Sequence, residues 1–368
     1  MRAIAIGILL GLAQAALGQS MADRREWPKT DFAKRTVELS EIESGGPPKD
    51  GIPAIDRPRF VGANAARAWL KPMEPVIVLR MGRDVRAYPI QILMFHEIVN
   101  DAVDGLPVAV TFCPLCNASV VFERRHDGRV LDFGTTGRLR LSDLVMYDRQ
   151  TESWWQQFTG KGIVGHFAGA VLKRIPSEIV SFEDFSAAHP NGRVLSRETG
   201  FFRSYGSNPY AGYDRIDQIP FLLSVKPDER LPPMERVLSV SAGGKHRLYP
   251  LSTLKERQVL NRVLADLPYV VFVKPGMASP LDSAATEQGR SIPAATAFER
   301  RLDGRVLEFE ARDARYVDRE TGSEWNLLGE AVSGPLKGRR LPGIDSGVHF
   351  AFAWLAFNPQ SEIVRTLP

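Results

Sequence analysis

Short β-prone hydrophobic runs alternate along the chain with polar breaks built on Gly, Asp and Pro. Val76-Ile77-Val78-Leu79-Arg80 and Val85-Arg86-Ala87-Tyr88 flank Gly82-Arg83-Asp84, which predicts a hairpin. Pro89 suits the first turn of a short helix over residues 90–95. Two more hairpins are expected, over residues 97–112 around Asp104-Gly105 and over residues 119–133 around Asp127-Gly128. Asp-Gly between such runs is a strong hairpin signal, because a type I′ turn needs positive φ at both central residues. Residues 139–147, 163–165 and 171–175 read as further strands, and residues 182–188 as a short helix closed by His189-Pro190.

The pattern then returns. Phe122-Glu-Arg-Arg-His-Asp-Gly-Arg-Val-Leu-Asp-Phe133 recurs as Phe298-Glu-Arg-Arg-Leu-Asp-Gly-Arg-Val-Leu-Glu-Phe309, with ten of twelve residues identical. Residues 73–114 align without a gap on residues 234–275, matching Tyr88-Pro89 to Tyr249-Pro250 and Asn100 to Asn261. The expected fold class is therefore α+β and β-rich. It consists of two tandem related units of curved or barrel-like antiparallel sheet with short helices. The division runs as a leader at residues 1–18, an N-terminal arm at 19–72 and a first repeat at 73–200. A connector at 201–233 and a degenerate second repeat at 234–368 follow. The connector contains Asn208-Pro209-Tyr210 and ends on Leu231-Pro232-Pro233.

Composition changes this picture in two places. The 47 basic and 43 acidic residues are interspersed without a long basic run, so the net charge of +4 does not imply nucleic acid. Residues 1–18 read as a secretory signal: Arg2, an apolar stretch, then small residues at Ala16 and Gly18. The stretch is short for a transmembrane span. The expected mature protein is soluble, lacks an integral membrane span, and is periplasmic or secreted, where a disulfide is permitted.

What the first copy has and the second lacks is a candidate for chemistry. His96, Glu97, Cys113 and Cys116 stand where the second copy has Arg257, Gln258, Lys274 and Met277, and the two cysteines are the only ones in the chain. A two-residue turn at Asp104-Gly105 would pair Val103 with Leu106. Extended back, that register sets Glu97 opposite Phe112 and His96 opposite Cys113; a single bulge would bring Glu97 across instead. Three readings of Cys113-Pro114-Leu115-Cys116 remain open. Two thiolates and an imidazole, with Glu97 or another donor as the fourth ligand, suit copper or zinc. A thiol–disulfide oxidoreductase is the second reading, although the strand expected after Cys116 departs from a thioredoxin-like context, which needs a helix there. A structural disulfide in a binding module is the third. Ser142-Asp143, without a partner in the second copy, reads more simply as a turn than as a pocket wall.

Several strings resemble those of one family. They are His96-Glu97-Ile98-Val99-Asn100-Asp101, Phe112-Cys113-Pro114-Leu115-Cys116, Ser142-Asp143-Leu144-Val145-Met146-Tyr147-Asp148-Arg149-Gln150-Thr151-Glu152-Ser153 and Asn208-Pro209-Tyr210. The chain is similar in these to the bacterial and archaeal family catalogued as domain of unknown function 3179. The resemblance implies that His96-Glu97 and the cysteine pair belong to a shared pattern, and it brings no activity, substrate or partner with it. Asn117 departs from the small, Gly-like residue usual after the second cysteine.

Overall fold

A computed structural model describes residues 24–313 and 315–367; the expected leader at residues 1–18 lies outside them. The described residues are β-rich, in eight mostly antiparallel sheets of two to five strands. None of the sheets closes into a barrel, which corrects the barrel-like expectation. Each ends on open edges, and the sheets bury their apolar faces against one another.

The hairpins form where the Asp-Gly turns place them. Strands Ile98–Val103 and Leu106–Cys113 pair from Val103↔Leu106 to Ile98↔Thr111. Asp104 and Gly105 sit at φ 48° and 76°, Asp127 and Gly128 at 47° and 69°, the left-handed geometry that a type I′ turn demands. The first hairpin joins Pro75–Met81 to Asp84–Pro89, and a one-turn helix, Ile90–Leu93, follows with Pro89 as its N-cap. The run at residues 139–147 departs from expectation. It is split by a turn at Leu141-Ser142 into the antiparallel strands Phe133–Arg140 and Asp143–Asp148.

Element order recurs in the second half. Hairpin, one-turn helix and second hairpin return as Arg236–Ala242, Lys245–Pro250, Leu251–Leu254, Val259–Leu264 and Leu267–Ala278. The helices Phe182–Ala188 and Ala351–Phe357 each precede a short strand, and both strands dock parallel: Arg193–Leu195 on Asp84–Pro89, Glu362–Ile363 on Lys245–Pro250. Asn100 and Asn261 bind the backbone of Phe133 and Phe309 in the same way, accepting from N and donating to O.

The halves share their cores. One cluster joins Val110, Phe112 and Phe133 to Phe350 and Trp354, and another joins Val76, Val78 and Phe182 to Phe272 and Phe298. Neither half would bury these faces alone, so separation would expose apolar surface at about 25 cal/mol per Å². Among the described residues no helix is long and apolar enough to cross a membrane.

Candidate metal centre

Two hairpin tips of the first half meet at one point. The central strand Leu106–Cys113 ends on Cys113, and the chain turns back through residues 114–117, with Asn117 at φ 49°. Its amide donates to Pro114 O at 3.1 Å, so the position that departs from the family pattern takes the left-handed conformation that Asn tolerates better than most residues. This turn puts Cys116 back beside Cys113. Both cysteines are buried and unbridged. The second tip is Leu141-Ser142, at φ 54° and 66°. Two consecutive non-glycine residues in the left-handed region cost roughly 1–2 kcal/mol each. That strain is held in place at the tip that aims Asp143 and the Ser142 carbonyl at the sulfurs. Ser142 O lies 3.4 Å from Cys116 Sγ and 4.0 Å from Cys113 Sγ.

Cys113, Cys116 and Asp143 bring one donor atom each within 4.8 Å of one another. Asp143 is fully buried. Its Oδ2 accepts from Gln156 Nε2 at 2.6 Å and from Phe158 N at 2.9 Å, whereas its Oδ1 is buried without a well-placed donor; the Cys116 thiol and the Leu144 amide also act on this carboxyl. A buried acceptor that is poorly satisfied is unfavourable, and a cation at the sulfurs would relieve it. Burial raises the Asp143 carboxyl to about 7, against hydrogen bonds from Phe158 N and Gln156 that lower it. Burial, and then the Asp143 charge, raises Glu97 to about 8. Both thiols are raised as well, by burial first; Asp143 and Glu97 add to the shift at Cys113, and Cys113 and Asp143 to that at Cys116.

The residues expected from sequence are distributed as follows. Cys113 and Cys116 come together. Glu97 is buried close enough to act on Cys113 and Asp143 electrostatically. His96 is turned elsewhere. The helical turn runs on to Glu97, whose amide donates to Leu93 O at 2.7 Å and whose φ is 56°. The ladder therefore stops at Ile98↔Thr111, and the expected pairing of His96 with Cys113 does not form. The opposition of Glu97 and Phe112 survives as one hydrogen bond, Phe112 N to Glu97 O at 2.8 Å. His96 Nδ1 donates to Pro53 O at 2.7 Å, so Nε2 accepts from the Tyr205 hydroxyl at 2.6 Å. Burial, with Arg203 nearby, lowers this imidazole to about 4. His189 pairs with Glu330, and His126 packs edge-on against Trp155 and Phe167.

Sequence reasoning weighed Ser142-Asp143 as a pocket wall and preferred a turn, and it gave Tyr210 and Tyr213 no part in the site. Both tyrosines come from the connector and pack on the core cluster that contains the cysteines. Burial raises both hydroxyls, with further contributions from Glu97 and Cys113 at Tyr210 and from Cys116 and Cys113 at Tyr213. A signal for Asp143 existed. The first-half hairpin runs sixteen residues from Phe133 to Asp148, and its counterpart from Phe309 to Asp318 runs ten, pairing end to end in the same way. The six residues missing from the second half remove the tip that carries Ser142-Asp143.

The fold and this site define a β-rich protein of stacked antiparallel sheets with one buried dithiol–carboxylate cluster. The chain belongs to the family described as "Protein of unknown function (DUF3179)", whose profile matches residues 49–361. Comparison with curated proteins and with solved structures finds no match.

Proposed function

We propose that this is an exported metal-binding protein that holds one thiophilic ion through Cys113, Cys116 and Asp143, with Glu97 as a further carboxylate donor. In this reading residues 1–18 direct export. The arm at 19–72 and the connector at 201–233 wrap two tandem related units, at 73–200 and 234–368, of which the first carries the site. The observation that carries the proposal is the convergence of three fully buried donors, Cys113, Cys116 and Asp143, whose ligand atoms lie within 4.8 Å of one another while Asp143 Oδ1 lacks a well-placed donor. Two thiolates draw soft or borderline ions, and a carboxylate beside them favours zinc over copper(I). His96 has no ligand role here, because both of its nitrogens are engaged by Pro53 and Tyr205.

Thiol–disulfide exchange is less well supported. An exchanging cysteine needs a depressed pKa and access, whereas both thiols are buried and raised beside acidic groups. A metal supplies the positive charge that lets such ligands ionise, releasing protons as it binds.

Metal analysis of protein purified without oxygen or chelator tests the reading. The expected result is about one zinc per chain in the wild type, the usual occupancy of a structural or catalytic site. Cys113→Ser and Asp143→Asn should each fall below about a tenth of that. Wild-type protein that takes up no zinc or copper after dialysis against either ion ends the proposal.

A further inference from the structure

The metal reading leaves a difficulty. Cys113, Cys116 and Asp143 are 1%, 0% and 0% exposed, so an ion in solution has no route to them while the fold stays closed. Tyr210 and Tyr213 of the connector pack on the core cluster that holds the cysteines, near enough for the sulfurs to act on both hydroxyls. This segment is fixed at identifiable points, and the points differ in kind from the packing of a core strand.

One fixed point is His96. Its Nδ1 donates to Pro53 O of the arm, its Nε2 accepts from Tyr205, and the Tyr205 hydroxyl accepts in turn from Thr199 Oγ1 at 2.5 Å. A single imidazole thus ties the arm to the start of the connector, next to the Cys113 strand. The other fixed point is Asp214, fully buried at the far end. Its carboxylate accepts from Arg236 Nη2 at 2.9 Å, from Arg290 Nη1 at 2.8 Å and from the Ser279 hydroxyl. Arg290 Nη2 also donates to Asp214 O at 2.9 Å.

Between these points the connector is gripped by backbone. Asn208 N donates to Ala284 O at 2.8 Å, Gly212 N to Asp282 O at 2.7 Å and Thr286 N to Gly206 O at 2.9 Å. All three partners, with Ser279 and Arg290, belong to one loop, residues 279–290. That loop is where the second half departs from the first. In the first half Cys113 pairs with Ala118 across the four-residue tip 114–117. In the second, Lys274 stands where Cys113 would be. The strand runs on past a bulge to Ala278, which pairs with Ser291 across the twelve-residue tip 279–290. The tip that binds in one half is replaced in the other by a tip that holds the connector.

We propose, resting on the metal reading above, that residues 205–214 form the gate of the metal site. His96 and Asp214 are its two latches, and the second half serves to clasp it through loop 279–290. His96 is then a positioning residue, and the second half has a task without having a metal. Opening requires the loss of the Tyr205–His96 bond or of the Arg290–Asp214 bonds, after which Tyr210 and Tyr213 lift from the sulfurs. The gate governs the rate at which an ion enters or leaves, and the ligands govern how many ions are held.

The experiment separates these two quantities. Zinc-loaded full-length protein is mixed with excess chromogenic chelator, and the rate of zinc transfer is followed for wild type, His96→Ala, Tyr205→Phe and Arg290→Ala. Asp318→Asn, whose bonds run to Thr321 and Trp325 and not to the gate, its latches or loop 279–290, serves as a destabilised control. The three gate variants are expected to hold as much zinc per chain as the wild type. They should release it about tenfold faster, the factor that the net worth of one hydrogen bond sets, whereas the control releases it at the wild-type rate. Transfer rates within twofold of wild type in all three variants overturn the gate, and so does equal acceleration in the control. Loss of zinc stoichiometry in His96→Ala, with Tyr205→Phe unaffected, would make His96 a ligand and likewise overturn its role as a latch. If the wild type binds no zinc, the metal reading fails, and the gate is judged separately by the reaction of Cys113 and Cys116 with a thiol reagent. Gate variants must then react at least several-fold faster than wild type and control, and equal rates reject the gate.

Discussion

Protein stripped of metal loses thermal stability as the pH is raised from 5 to 8, and zinc reverses the trend. The sign follows from three buried carboxyls, Asp143, Glu97 and Glu178, all raised. They outweigh two buried histidines, His96 and His349, whose lowered values act the other way only below about pH 6.5. Asp143 titrates at about 7 and Glu97 at about 8, both raised first by burial. In the unfolded chain these groups release their protons near ~3.9 and ~4.3. Between those values and the folded ones the native state holds protons that the unfolded state has given up. Its stability is then full at the acid end and is lost as the pH climbs through 7 and 8. Each displaced unit amounts to about 1.4 kcal/mol, so the two groups together withdraw several kcal/mol, a large share of a typical folding free energy of roughly 5–15 kcal/mol. Zinc binds the deprotonated ligands and stabilises the native state by an amount that grows with free zinc relative to its dissociation constant, so the gap between loaded and stripped protein widens with pH. Thermal melts from pH 5 to pH 9, with and without zinc after chelator treatment, provide the check. A metal-free midpoint that holds steady or rises between pH 5 and 8 contradicts the burial of these carboxyls. A gap that does not widen contradicts their part in binding.

The parts of this molecule that were legible in the sequence are those fixed by local geometry. Asp104-Gly105, Asp127-Gly128 and Asp303-Gly304 each take positive φ at both residues, and no longer-range information is needed to see that such turns fix the register. The cysteine pair was legible because Lys274 and Met277 replace it in an otherwise matching stretch. The extrapolation from that register to His96 failed one residue beyond the ladder. A turn that continues the helix Ile90–Leu93 as far as Glu97 before the strand begins leaves His96 bonded to Pro53 and Tyr205, away from the ladder. Asp143 was legible as part of a turn but not as a donor: the turn is made of Leu141 and Ser142, poor left-handed residues that do not announce the tight hairpin tip aimed at the sulfurs. The clasp on the connector was illegible because it comes from a loop some 70 residues further on, through backbone amides that any sequence supplies.

Asp148→Ala and Asp318→Ala should destabilise the protein by the same amount, roughly 3–5 kcal/mol each, and neither should alter its zinc content. The estimate follows from the donors stranded. Asp148 accepts from Thr151 N at 2.7 Å, Thr151 Oγ1 at 2.9 Å and Trp155 Nε1 at 2.9 Å. Asp318 accepts from Thr321 N at 2.7 Å, Thr321 Oγ1 at 2.8 Å and Trp325 Nε1 at 2.9 Å. Both carboxylates are fully buried and both indoles nearly so. Alanine would leave two buried N–H groups without acceptors, at about 1–3 kcal/mol apiece, and add a small cavity. Urea midpoints give the comparison. A difference between the two variants above roughly 1.5 kcal/mol, more than neighbouring packing would produce, would mean that the corners are not equivalent scaffolds. Loss of zinc from Asp318→Ala would place the second half in the binding site. The pairing of the two results carries the argument. What the halves hold in common bears on whether the chain folds. What only the first half keeps, two sulfurs and the carboxylate at a strained tip, bears on what the folded chain binds.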